Sequence, residues 1–153
     1  MKKVLDSFLI PVLKFVDYEV DSDQSIPFVS STVPAGFPSP AMNDMDEKIS
    51  LFKELIKSPS TTFYMKVEGL SMIGAGISDG DIAVIDKSLE PQDGKIAVVY
   101  INGEFTLKRL KVDKKNETVW LMPENDEFKP IEVKSDNDSF FVWGMLINII
   151  KSF

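Results

Sequence analysis

The chain has 153 residues, a net charge of −7 and 44% hydrophobic residues. This is about the length of one domain, with enough apolar mass for a core, and its acidity argues against non-specific binding to nucleic acid or to an anionic membrane surface. It contains no Cys and no His, which excludes disulfides, thiolate metal sites, Ser-His-Asp and Cys-His machinery and histidine zinc motifs.

The first 16 residues, MKKVLDSFLIPVLKFV, imitate a signal peptide. Asp6, Pro11 and Lys14 interrupt the apolar run, and it is too short to span a bilayer. No other stretch qualifies, so a cytoplasmic protein without a membrane segment is expected. Residues 1–43 carry Pro11, Pro27, Pro34, Pro38 and Pro40 together with the run SSTVPAGFPSP. Proline removes a backbone donor and biases its predecessor towards extended conformations, so this stretch reads as an extended N-terminal arm and not as a packed element.

Residues 44–57, DMDEKISLFKELIK, predict a helix. Asp44 is placed to cap it with Glu47 as the capping-box partner, and Met45, Ile49, Phe52 and Ile56 fall on one face. From Thr61 the pattern turns to strands: TTFYMKV, IAVID, KIAVVYI, EFTLKRLKV, ETVWLM and SFFVWGMLINIIK are rich in β-branched and aromatic residues. SDGD, PQDG, NG and PEND separate them, and Asn102-Gly103 is a two-residue hairpin signal. The reading is a mainly β protein: a compact antiparallel β domain over residues 44–153, with one short helix near its start.

The segment Lys66 to Asp86, KVEGLSMIGAGISDGDIAVID, concentrates glycine at positions 69, 74, 76 and 80. A phosphate-binding P-loop is excluded because Ala75 stands where lysine is needed. A dinucleotide fingerprint fails at Asp79 and lacks its strand-helix-strand setting. A calcium loop from Asp79 has Val84 at its obligatory glycine. The hydrolase elbow G-x-S-x-G fails at Ile73. Two readings remain: Ser71 is an ordinary turn residue, or it is a nucleophile whose base, without histidine, is a lysine.

Most lysines sit in plainly solvated settings such as KVDKKNE. In GEFTLKRL, strand alternation puts Phe105 and Leu107 on one face and Thr106, Lys108 and Leu110 on the other. Lys108 is then either an exposed strand lysine or a desolvated one.

GLSMIGAGISDGD, followed by NGEFTLKRL with Lys108 37 positions after Ser71, resembles the UmuD/LexA family of self-cleaving Ser-Lys peptidases. AGFPSP, DGKIAVVYINGEFTLKRL and the closing VWGMLINIIK fit the same pattern, so the resemblance runs from about Thr32 to the C-terminus. Within the family, the likeness is to members that serve as accessory subunits of an error-prone DNA polymerase.

The resemblance implies a β fold of the signal-peptidase-like type and autocleavage between Ala35 and Gly36. It makes Ser71 the nucleophile and Lys108 the general base, with the backbone N–H groups of Ser71 and Met72 as oxyanion donors. It implies a role in the SOS response to DNA damage: cleavage stimulated by RecA on single-stranded DNA, and a shortened, homodimeric product that joins a Y-family (UmuC-like) polymerase in translesion synthesis. No cofactor, metal or membrane partner is implied. The arm is too short for a helix-turn-helix domain, so no sequence-specific DNA binding is expected. The competing readings are a non-enzymatic polymerase-regulating subunit with a vestigial dyad, and a peptidase acting in trans.

Overall fold

The computed structural model of the chain describes residues 26–28, 35–36, 47–134, 137 and 139–153. The chain divides into two compact units, Met1–Phe52 and Lys53–Phe153.

In the first unit, β1 (Ile26–Phe28) pairs antiparallel with β2 (Glu47–Ile49), Pro27 opposite Lys48. This corrects two expectations. Part of the proline-rich arm is in a strand, and the helix foreseen over 44–57 shrinks to α1 (Leu51–Leu55). The segment preceding α1 has the apolar spacing of a helix, but the upstream strand Ile26–Phe28 claims Glu47–Ile49 for a ladder. Asp44 and Met45 lie outside the described residues. Of the foreseen helical face, Ile56 is buried and Ile49 and Phe52 are half-buried.

The second unit is built on one antiparallel sheet. Its strands are β3 (Thr62–Lys66), β4 (Ile82–Asp86), β5 (Ile96–Ile101), β6 (Glu104–Asp113), β7 (Thr118–Met122), β8 (Ile131–Lys134) and β9 (Phe140–Ile150), in the order β3-β4-β9-β5-β6-β7-β8. The mainly β, antiparallel architecture expected from the sequence is what the chain forms. β8 was not anticipated. The β5–β6 hairpin turns at Asn102 and Gly103, with φ of 51° and 92°. Both values lie in the left-handed region that a two-residue turn of this hand requires.

Alternate residues of β5 face two hydrophobic clusters. Ala97, Val99 and Ile101 pack with Leu110, Leu121, Val133 and Met145. Val98 packs with Ala83 and Ile85, and with the half-buried Met65, Val67 and Leu107. Side chains on a strand point alternately to opposite faces, so the sheet carries core on both sides.

β9 is irregular against both neighbours. Ile147 has no opposite residue on β4, and Trp143 has none on β5. Such bulges sharpen local twist and bend the strand. Trp143 makes edge-to-face ring contacts with Phe63 on β3 (5.3 Å) and Phe105 on β6 (5.9 Å). It thereby links the two strands that flank the cleft described next.

Candidate active site

A cleft of about 260 Å³ opens between β3 with its following loop and β6; Met65, Val67, Gly69, Ser71, Phe105 and Leu107 contribute to its walls. Ser71 enters it from the glycine-rich segment, in a turn directly before the 3-10 turn Ile73–Ala75. Three interactions hold the segment's approach. Gly69 N–H donates to Asp79 Oδ1 (2.7 Å), Val67 N–H to Asp81 O (2.8 Å) and Gly80 N–H to Val67 O (2.9 Å). The Asp79 carboxylate therefore serves the geometry of the backbone. Among the described residues no cluster of three or more Asp or Glu side chains could hold a metal ion.

Lys108 stands in the middle of β6 and is 7% exposed. The structure brings its Nζ within 2.8 Å of Ser71 Oγ, 2.9 Å of Thr106 Oγ1 and 2.9 Å of the Leu107 carbonyl oxygen. Among the described residues no carboxylate pairs with it. Burial lowers its pKa from the ordinary 10.5, because removing water disfavours the charged amine. Of the two sequence readings of Lys108, the desolvated one is what the fold contains.

Three oxygens around one nitrogen permit a specific proton arrangement. The Leu107 carbonyl can only accept. A neutral amine has two N–H bonds and one lone pair. If the N–H bonds go to Leu107 O and Thr106 Oγ1, the lone pair faces Ser71 and can accept its hydroxyl proton. Thr106 and the Leu107 carbonyl thus orient the amine. Sequence reasoning did not assign them this role, although Thr106 shares the face of Lys108 by alternation.

The N–H groups of Ser71 and Met72 make no hydrogen bond among the described residues. Free backbone donors at a nucleophile can stabilise developing negative charge. Ala35 and Gly36 form an exposed bend in the first unit.

The Peptidase S24-like family matches residues 27–147. The chain belongs to this family, one of self-cleaving serine peptidases. Its similarity to curated S24-like and related proteins extends over most of its length. It is 38% identical over 122 residues to protein MucA of Salmonella typhimurium and to protein MucA of Escherichia coli, covering 80% of this chain and 82% of each relative. It is 37% identical over 133 residues to the LexA repressor of Acidithiobacillus ferrooxidans, covering 86% of this chain and 63% of that protein. Among the described residues of this S24-like chain, no helix is long and apolar enough to cross a membrane.

A second feature of the site was not anticipated from sequence. The stretch PEND, read as a turn signal, supplies Glu124 and Asn125, which hold the Ser71 turn from outside the cleft wall. Glu124 N–H donates to Ser71 O (2.8 Å), Gly74 N–H donates to Glu124 O (2.7 Å), and Asn125 Nδ2 donates to Leu70 O (3.1 Å). The only local hint was polarity, which a turn explains equally well.

Proposed function

We propose that this chain cuts itself between Ala35 and Gly36, with Ser71 as nucleophile and Lys108 as general base. Residues 1–43 form the arm that carries the scissile bond, and residues 44–153 form the peptidase domain. The single observation that supports this best is the 2.8 Å approach of a buried, carboxylate-free lysine amine to a serine hydroxyl at a cleft.

Neutral Lys108 takes the Ser71 proton as Oγ adds to the Ala35 carbonyl carbon. The N–H groups of Ser71 and Met72 receive the oxyanion. As it collapses, the Ala35–Gly36 C–N bond breaks and the Lys108 ammonium gives its proton to the departing Gly36 nitrogen. Lys108 then takes a proton from water, whose oxygen attacks the acyl-Ser71 ester. As this second intermediate collapses, the C–Oγ bond breaks, the Lys108 ammonium returns its proton to Ser71 Oγ, and Ala35 leaves as a carboxylic acid, ionised at neutral pH. Ala35 and Gly36 are small enough to approach Oγ closely, and Pro34 and Pro38 favour an extended substrate strand.

In this reading cleavage belongs to the SOS response and is stimulated by RecA on single-stranded DNA. The product, Gly36 to Phe153, dimerises and acts as accessory subunit of a Y-family polymerase. Similarity to MucA and LexA supports the setting. The test is intact-mass spectrometry of the purified protein near pH 7 and near pH 10, with and without RecA filaments, beside Ser71→Ala and Lys108→Ala. One cut after Ala35, absent in both variants, is the expected result. No cut under any condition would leave the non-enzymatic polymerase-regulating subunit in its place.

A further inference from the structure

Ser71 and Lys108 come from segments separated by β4 and β5, yet proton transfer between them tolerates little drift. Something must hold the Ser71 turn in register with β6. The residue after Lys108 supplies a link. Arg109 pairs through Nε with the carboxylate of Glu124 and donates from Nη1 to Gly94 O at 2.8 Å. Glu124 in turn donates its backbone N–H to Ser71 O and accepts from Gly74 N–H.

These contacts close a ring. It runs from Ser71 Oγ to Lys108 Nζ, along the chain to Arg109, across the ion pair to Glu124, and back through the Glu124 N–H to the Ser71 carbonyl. Beside the ring lies an open cavity of about 770 Å³, lined in part by Ile73, Gly74, Asp93, Gly94, Arg109 and Glu124. Beside this space, hydrogen bonds to Arg109, Gly74 and Ser71 tie Glu124 in place.

We propose that the Arg109–Glu124 ion pair is a positioning device that sets the Ser71 turn against β6 and so fixes the Ser71–Lys108 approach. The proposal rests on the reading of those two residues as nucleophile and base. Neither Arg109 nor Glu124 touches reacting atoms. A part-exposed ion pair adds little to global stability, whereas an ångström of misplacement at a reacting pair can cost about 100-fold in rate. Positioning therefore predicts a large effect on rate with a small one on unfolding.

The experiment follows self-cleavage by intact mass from near pH 7 to near pH 10 in wild type, Arg109→Gln, Glu124→Gln, the double variant and Arg109→Lys, with thermal unfolding of the Ser71→Ala form of each. Each single Gln variant is expected to lower the high-pH plateau by about 10-fold or more without moving the pH midpoint. The double variant should be no slower than the slower single variant, because both remove one link. Arg109→Lys should recover much of the loss, and unfolding temperatures should change little.

Plateaus equal to wild type would overturn the proposal. So would midpoints moving in opposite directions at unchanged plateau, since that is an electrostatic effect on Lys108. Losses that multiply in the double variant, or a fall in unfolding temperature matching every loss of rate, Arg109→Lys included, would also overturn it. If the wild type cuts and the variants cut equally well, this proposal alone fails. If the wild type never cuts, even with RecA filaments, the nucleophile-base reading fails and this one with it.

Discussion

Lys108 stands directly opposite Ala97 in the β5–β6 pairing, and Ala97 is completely shielded from solvent. Opposed residues of an antiparallel pair share a face of the sheet. The lysine therefore starts from the face that carries Val99, Leu110 and Leu121. Its amine reaches polar partners only at the end of its stem.

Burial of Lys108 gives stability a defined pH dependence. Its folded pKa lies below the unfolded value of about 10.5. Between the two values the unfolded chain binds more protons, so stability rises with pH; below the folded pKa the cost of burying the charge is fully present. Lys108→Met should therefore be more stable than wild type at pH 7, with the gap closing as pH approaches 10.5. Urea unfolding across that range, with Ser71→Ala in both proteins to prevent cutting, measures the gap. A gap that widens with pH would contradict the assignment.

If neutral Lys108 is the base, the rate of self-cleavage should rise about tenfold per pH unit below its pKa and then level off. Thr106→Val should lower the plateau by about tenfold, because one N–H of the amine then loses its acceptor. Thr106→Ser should retain most of the rate. Time courses by mass spectrometry distinguish the two variants.

Gly74 packs its α-carbon against the backbone of Glu124. A β-carbon there would lie 2.5 Å from the Glu124 carbonyl oxygen. That oxygen accepts the Gly74 N–H and cannot swing aside as a side-chain tip would. Gly74→Ala should destabilise the domain by about 1–3 kcal/mol and slow cutting. Chemical denaturation and the mass assay read the two effects separately.

Leu121 is fully buried in the cluster that holds Leu110 and Val133, whereas Ile131, opposite it on β8, is 38% exposed. Leu121→Ala should cost about 2–5 kcal/mol, and Ile131→Ala clearly less, because part of its side chain is already in water. Where Leu121→Ala remains folded, its cutting rate should match wild type. A rate loss at full foldedness would mean that this core is coupled to the cleft.

At acid pH the informative pair is Asp81 and Lys151. The Lys151 ammonium hydrogen-bonds Asp81 at 2.7 Å, and the Ser78 N–H adds to it, holding the carboxyl below its ordinary 3.8. This contribution is present above pH 3.8 and is lost as pH falls through the lowered folded value. Lys151→Met should flatten that acid limb while leaving the pH 8–10 behaviour of wild type intact. Circular dichroism during acid titration measures it.

Most strands were legible because they are long and apolar on at least one face: IAVID, KIAVVYI and SFFVWGMLINIIK match β4, β5 and β9. β8 was not, because IEVK alternates charge with a single buried residue, Val133. That pattern suits an edge strand and resembles a loop. The helix over 44–57 was overextended because local periodicity carries no information about a pairing partner at Ile26–Phe28. Type and alternation left Ser71 and Lys108 each with an ordinary reading, and the family resemblance of their motifs was what singled the two out; the structure places them 2.8 Å apart. The Leu107 carbonyl and the Glu124 backbone were not legible, since any residue offers the same main-chain groups.

β9 lies between β4 and β5, and those two strands are not neighbours. Among the described residues, β9 is the strand whose ladders join the β3–β4 pair, beside the Ser71 turn, to the strands from β5 to β8 that include Lys108. Loosening β9 would part those ladders and leave the Ser71 turn tied to the Lys108 side by the short polar contacts of Glu124, Asn125 and Lys108.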